Sequence, residues 1–470
     1  MSLLLYWRRY GIVLGLFVTF ILILNSQAAA KETEQETAVY GGPGPVAIFT
    51  ADPDKKPETA VPPPPNFRAN QPNRAAAGGI TVTSWVGAWP TQAQAAFQYA
   101  VDIWNSLITS SAPIEIRAIW ESFSNPAILG GAGANCLYRN VSGASFADTL
   151  YAAAEVNAIM GTNVTCPYFD PNTQTTINIP EEISAQFNSS FPSWYYGTDG
   201  NPGSGQYDFV SVVLHEIGHG LGFFGLMSYD NGSSSDGAEC NNVAGYGCWG
   251  LGSGYPGIYE RFTTNSGGTL LINAYANPST ALGNALTSGA VYFNGPLATA
   301  ANDGSPIPLY APSTWASGSS YSHVAESFNN TPSALMTYSI GPGEVEHSPG
   351  PITLAMLRDM DWPIETYPVV SDMPSLLYQT NSGTKQNVLD VYAYVSDENT
   401  PDSSLTVSVS DPNNVAAFDG RYIDLDTSGF IGTTTVTVQV TDAMGFKDSN
   451  TFNVTLSDQI STIFLPAVLR

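Results

Sequence analysis

Tyr207-Asp208-Phe209-Val210-Ser211-Val212-Val213-Leu214-His215-Glu216-Ile217-Gly218-His219-Gly220-Leu221-Gly222 is the stretch on which the reading of this chain turns. Phe209, Val210, Val213, Leu214, Ile217 and Leu221 recur at helical spacing and give a helix one buried side. Asp208 suits its N-cap, and Gly222 suits the left-handed residue that ends a helix. On such a helix His215 and His219, four apart, share a face and can bind one metal. Glu216 can then reach a water at that metal as general base. The bland alternative is a core helix carrying two incidental histidines. The chain has only four histidines, and two of them form this pair.

Catalytic zinc needs a third protein ligand and an open position for water. His215, Glu216, His219 and Gly222 resemble the metzincin metallopeptidases, whose pattern is H-E-x-x-H-x-x-G-x-x-H followed by a Met-turn. Gly225 stands where that pattern places its third His. The remaining histidines are His323, ahead of Ala334-Leu335-Met336-Thr337-Tyr338, and His347, behind it. The resemblance puts the third ligand before the Met-turn methionine, which implies His323 with Met336 beneath the metal and leaves His347 as the runner-up. A long insertion before the third His makes the chain similar to the leishmanolysin-like branch. By the same resemblance Tyr338, two positions after Met336, is a candidate for oxyanion stabilisation, with a packed aromatic as its alternative. A gluzincin arrangement would draw on a downstream acid, Glu239 or Glu260, but neither lies in a helical pattern.

The chain has 470 residues, room for two or three domains. Acids outnumber bases 40 to 15, a formal charge of −25 that disfavours nucleic acid and anionic membrane surfaces as partners. Residues 1–30 read as a secretory signal peptide: Arg8 and Arg9, an apolar run from Gly11 to Leu24, then small-residue cleavage sites at Ser26-Gln27-Ala28 and Ala28-Ala29-Ala30. An uncleaved anchor is the alternative; after cleavage no stable membrane span is expected, and the chain is secreted and extracellular. Cys136, Cys166, Cys240 and Cys248 fit an oxidising compartment. Of three possible connectivities, Cys240–Cys248 closing a short loop, with Cys136–Cys166, is the expected one.

Residues 31–78, with Pro62-Pro63-Pro64-Pro65, read as a linker or short pro-segment rather than a packed domain, and they hold no cysteine for a thiol latch. Residues 79–363 are the expected metallopeptidase domain. Ile80 to Thr83 reads as a strand, Thr91-Gln92-Ala93-Gln94 as a capping box opening a helix, and Ile114 to Trp120 as a half-buried strand. Residues 146–160 read as an Ala-rich helix ending at Gly161. Ile177 to Ile179 and Ile183 to Asn188 read as strands, and the resemblance makes 183–188 the edge strand that borders a peptide cleft. Residues 226–322 are expected to fold as an insertion subdomain, with a possible hairpin from Ile258–Phe262 to Thr269–Ile272. Ile352 to Met360 reads as a helix closed by Trp362-Pro363.

A linker at 364–374 leads to short alternating strands over 375–457, the pattern of an all-β sandwich resembling the Ig-like or cadherin-like modules of bacterial secreted proteins. Asp397, Glu398, Asp402 and Asp442 are candidates for structural Ca²⁺, with solvated turn acids as the bland reading. Residues 458–470 form an apolar tail too short to span a bilayer. The fold class expected is therefore α+β: a metzincin-like domain followed by a sandwich. The expected function is a secreted Zn²⁺-dependent endopeptidase acting on protein or peptide. The alternatives are an adhesin or carbohydrate-binding protein whose sandwich takes a cell-surface or polysaccharide ligand, and a zinc hydrolase with a non-peptide substrate.

Overall fold

Alternating apolar residues in one part of the chain and helical periodicity in another produce a mixed α+β structure, mostly strands with few helices. A computed structural model describes residues 38–39, 44–56, 60–64, 67, 78–170, 174–232, 240–364, 368–397, 404–441 and 447–458. The expected signal peptide, much of the linker at 31–78, Glu239, the candidate calcium ligands Glu398, Asp402 and Asp442, and nearly all of the tail lie outside the described residues. Among the described residues no helix is long and apolar enough to cross a membrane.

The main elements are β1 (Ala47–Ala51), β2 (Ile80–Val86), α1 (Thr91–Asn105), β3 (Ile114–Glu121), β4 (Ile128–Ala134), α2 (Ala153–Met160), β5 (Ile183–Asn188), α3 (Phe209–Gly220), β6 (Ser339–Ile340) and α4 (Gly350–Asp359). Six strands form one sheet in the order β6-β1-β4-β5-β3-β2. β2, β3 and β5 run parallel; β4 is antiparallel to both β5 and β1. α1 buries Phe97, Ala100, Val101 and Trp104, and the Trp104 indole donates to the Leu214 carbonyl of α3 at 3.0 Å. α3 packs against both α1 and the sheet and is buried along its whole length. The disulfides are Cys136–Cys166 and Cys240–Cys248.

The structure corrects several expectations. β5 (183–188) is not an edge strand: β3 flanks it on one side and β4 on the other. Among the strands that escaped sequence reading is β4, Ile-Leu-Gly-Gly-Ala-Gly-Ala, because its glycines carry little strand propensity. They are there for close approach: a Cβ on Gly130 would stand 3.0 Å from Glu216 Oε1, and one on Gly133 would stand 2.6 Å from the Pro45 carbonyl. Nor is the whole of 31–78 an unpacked linker, since β1 sits inside the sheet with Ala47 and Phe49 buried. α1 opens on Pro90 at the N-cap, so Thr91 is its first helical residue and makes no capping hydrogen bond. α2 starts only at Ala153, because Leu150–Ala152 pairs with Leu137–Arg139 as a strand.

The insertion 226–322 is built from short pieces, including a three-stranded sheet of Thr263–Asn265, Val291–Phe293 and Ile307–Pro308. Leu271, Leu282, Val291 and Phe293 join the main core, so the insertion extends that core rather than forming its own. The possible hairpin is absent. Tyr259–Arg261 is a 3₁₀ turn, held because the buried Glu260 carboxylate accepts from the Leu226 and Gly257 amides at 2.6 and 2.8 Å.

The C-terminal part has a core of its own. Its strands are β7 (Leu376–Gln379), β8 (Lys385–Asp390), β9 (Thr406–Ser410), β10 (Ala416–Phe418), β11 (Tyr422–Leu425), β12 (Gly432–Thr441) and β13 (Lys447–Ser457). They form a four-stranded sheet, β7-β13-β12-β9, and a three-stranded one, β8-β11-β10. Val436, Val438 and Val440 of β12 point inward at every second residue, the strand period seen in the sequence.

Candidate metal centre

The site begins with the ends of α3. At the N-terminus the Asp208 carboxylate accepts from the Ser211 amide and hydroxyl at 2.8 and 2.7 Å. At the C-terminus the Phe223 amide donates to the Gly218 carbonyl and the Gly222 amide to the His219 carbonyl. This paired closure needs a left-handed residue, and Gly222 supplies it at φ +108. The turn brings the Phe223 carbonyl back to His219 Nδ1 at 2.6 Å. Gly225, where the compact motif would place a third His, has no room for any side chain: a Cβ there would fall 1.9 Å from the Tyr321 ring.

The third imidazole comes from His323. His323 is held between Leu309-Tyr310 and Met336: the Tyr310 amide donates to the His323 carbonyl and the Val324 amide to the Met336 carbonyl. Tyr321, two residues earlier, is buried at φ +72, a conformation a bulky side chain rarely adopts. Its hydroxyl bonds Thr263 Oγ1 at 2.7 Å, so the insertion helps hold the turn that delivers His323.

The three imidazoles converge. Nε2 of His219 lies 3.0 Å from Nε2 of His215 and 3.1 Å from Nε2 of His323, and the third separation is 3.3 Å. All three rings are fully buried. Each Nδ1 faces a backbone carbonyl: Leu335 for His215 at 2.6 Å, Phe223 for His219 at 2.6 Å and Ser319 for His323 at 2.7 Å. A carbonyl only accepts, so each Nδ1 carries the proton and each Nε2 presents a lone pair to the other two. Burial lowers all three pKa values, that of His323 to about 4, and mutual repulsion lowers His215 and His219 further. The rings are thus neutral, as a metal requires. Three nitrogens about 2.0–2.1 Å from a tetrahedral ion stand roughly 3.3 Å apart. The cluster fits such an ion and leaves its fourth position to a non-protein ligand. Among the described residues it is the one group of His, Cys, Asp and Glu side chains that converges in this way.

Glu216 follows His215 and is also fully buried, and neither of its carboxylate oxygens has a hydrogen-bond partner. Burial pushes its carboxyl well above the usual range, and the nearby backbone of Ala132 and Phe49 opposes that only in part. An unpartnered carboxyl one residue from His215 on the same helix is a candidate for proton transfer at this centre. Met336 lies beneath α3, its Sδ 3.0 Å from where a Cβ on Gly218 would be, so Gly218 permits the approach.

Other sequence candidates lie elsewhere. His347 Nε2 bonds Asp208 Oδ2 at 2.9 Å in a buried pair behind the α3 N-cap, away from the three converging rings. Tyr338 stacks on Tyr310 with ring centroids 4.1 Å apart, and among the described residues no hydrogen bond or ring contact joins it to the histidines. Glu260 is occupied in holding its 3₁₀ turn. The residues that sequence reading missed are those acting through backbone, Leu335, Phe223 and Ser319, whose carbonyls leave no residue-type signal. Phe49 was missed as well; its ring stacks on His215 at 3.7 Å.

No curated protein matches the chain. A family model described as SPBPB7E8-like matches residues 91–233, from the start of α1 through α3 with His215, Glu216 and His219, and stops short of His323.

Proposed function

We propose that the protein is a secreted zinc-dependent endopeptidase of metzincin type, related in its split ligand set to the leishmanolysin-like branch. The observation that carries this reading is the convergence of three neutral Nε2 lone pairs, with the unpartnered Glu216 following His215 on the same helix. His215, His219 and His323 would hold Zn²⁺, with their second nitrogens locked by carbonyls so that the rings cannot turn away. Zinc, when bound, supplies Lewis-acid chemistry that acidifies water and polarises a carbonyl. Glu216 would take a proton from the attacking water and pass it to the leaving amine. Met336 supports the site from below, and Tyr338 is a secondary candidate for steadying the oxyanion. The two disulfides accord with an extracellular setting.

Casein digestion tests the reading. Hydrolysis should stop with a chelator and return with zinc. A zinc-loaded chain that leaves casein intact sinks it.

A further inference from the structure

The three imidazoles reach the metal centre by different routes. His215 and His219 share α3, and helix geometry alone sets them side by side. His323 arrives only after the insertion at 226–322 has closed, so it stands as firmly as the turn that carries it. That turn is strained, because Tyr321 is buried at φ +72 two residues before His323. Whatever holds Tyr321 therefore decides where Nε2 of His323 stands.

Every polar group of Tyr321 is engaged. Its amide donates to the Tyr310 carbonyl at 2.7 Å, and its carbonyl accepts from the Tyr259 hydroxyl at 3.3 Å. Its own hydroxyl bonds Thr263 Oγ1 at 2.7 Å and the Glu260 carboxylate. Glu260 is itself fully buried and accepts from the amides of Leu226 at 2.6 Å and Gly257 at 2.8 Å. One carboxylate thus ties together the two ends of the insertion, Leu226 where the chain leaves α3 and Tyr321 where it returns.

This joint occupies the place of the missing compact ligand. A Cβ on Gly225 would stand 1.9 Å from the Tyr321 ring and 3.0 Å from Glu260 Oε1, so ring and carboxylate take the space that a side chain there would need. The Gly225 amide adds a second tie by donating to Ser322 Oγ at 3.2 Å. Among the described residues, the titratable groups facing Glu260 are Tyr321 on the returning turn and Tyr259 and Arg261 on its own turn. Burial keeps both tyrosines protonated, and the Arg261 guanidinium is directed to Thr149 Oγ1 and the carbonyls of Ala147 and Asp148. Burial also raises the Glu260 carboxyl to about 7, against the pull of its hydrogen bonds.

We propose that Glu260 and Tyr321 are a positioning pair for the metal centre: they fasten the turn carrying His323 to the exit of α3 and so set how tightly the three imidazoles hold zinc. This rests on the zinc part of the peptidase reading. Neither residue is a ligand; both act through the backbone of the turn. Protonation replaces an acceptor of Glu260 by a donor, which costs one of its three partners a bond. The grip on zinc therefore weakens as pH falls through about 7.

The test is the zinc affinity of the full chain, measured by competition with a chelating dye on both sides of that pH. Tyr321→Phe keeps the ring and removes the hydroxyl; Glu260→Gln removes the charge. Above pH 7 each should weaken zinc binding about 10–100-fold. The two together should cost little more than either alone, because both open the same joint. Below pH 7 the parent should approach Glu260→Gln, since its own carboxyl is then neutral.

Melting of the metal-free chain is followed alongside. A merely structural pair would lower that melting temperature and leave zinc affinity unchanged, which overturns the proposal. Additive losses in the double variant would mean two separate supports and also overturn it. If Glu260→Gln does not fold, Tyr321→Phe decides alone. Zinc titration needs no substrate. A chain that holds zinc as expected and cleaves no peptide sinks the peptidase and keeps the pair. A zinc peptidase whose metal affinity ignores both variants keeps the peptidase and sinks the pair. A parent chain that takes up no zinc overturns both.

Discussion

The two cores of this molecule are built on opposite terms. The N-terminal core buries the three converging histidines, the His347–Asp208 pair, and carboxylates such as Glu155, Glu216 and Glu346. In the C-terminal core the buried polar residues, among those described, are three threonines: Thr380, Thr427 and Thr434. Burying a charge or an unpaired polar group costs several kcal/mol, and a fold that served only to hold its shape would avoid it. The first core accepts that cost at several points, one of them the cluster of three histidines with Glu216, whose carboxylate has no hydrogen-bond partner, next to His215 on the same helix. The second is an ordinary packed pair of sheets. The titratable side chains buried in this molecule, among the described residues, therefore lie in the first core.

The largest way to break this contrast is Glu216→Ala. On the zinc-loaded chain it should lower kcat/KM by about 10²–10⁴ while zinc content by mass spectrometry stays unchanged. Loss of zinc as well would make Glu216 structural. Next come the two histidine variants. His323→Ala should lose zinc. His347→Ala should keep it but lower stability to denaturant by about 3 kcal/mol, because it strands Asp208 in the interior. The reverse outcome would reassign the third ligand. In the other core, Leu425→Ala should cost about 2 kcal/mol or more in the unfolding of the C-terminal sheets. Zinc content and hydrolysis should not change; if they do, the two cores are coupled.

The smallest effect sharpens the contrast through pH. Burial, then the neighbouring Glu344, raises the Glu346 carboxyl to about 9, with Lys55 opposing. The folded chain thus holds a proton on Glu346 that the unfolded chain releases near pH 4.5, and stability is lost as pH rises through that interval. Glu346→Gln removes the effect. Its melting temperature should exceed that of the parent at pH 8, and the gain should shrink toward pH 5. A gain that does not depend on pH would mean that Glu346 is ionised in the fold.

Legibility followed the range of the interactions. α3, its Asp208 cap and its Gly222 terminus were readable because caps and periodicity act within a turn or two. β12 and β13 were readable because every second residue is apolar. β4 was not: its glycines serve Glu216 and Pro45, neighbours that only the assembled sheet supplies. β1 was hidden by a proline-rich, alanine-rich stretch whose average composition masks five residues of strand. The edge role expected of 183–188 failed for the same reason, since what pairs with a strand is a long-range matter.

By itself the sequence determined that two histidines and a glutamate share one helical face, that Gly225 denies the site a compact third ligand, and that a β-rich module follows. Only the tertiary structure decided that His323 returns to within 3.1 Å of His219, that His347 is spent on Asp208, and that Phe49 of β1 stacks on His215. The division is physical. A helix places neighbours four residues apart by its own geometry, whereas closing a loop of 104 residues onto a point depends on every strand, carbonyl and packed ring between its ends.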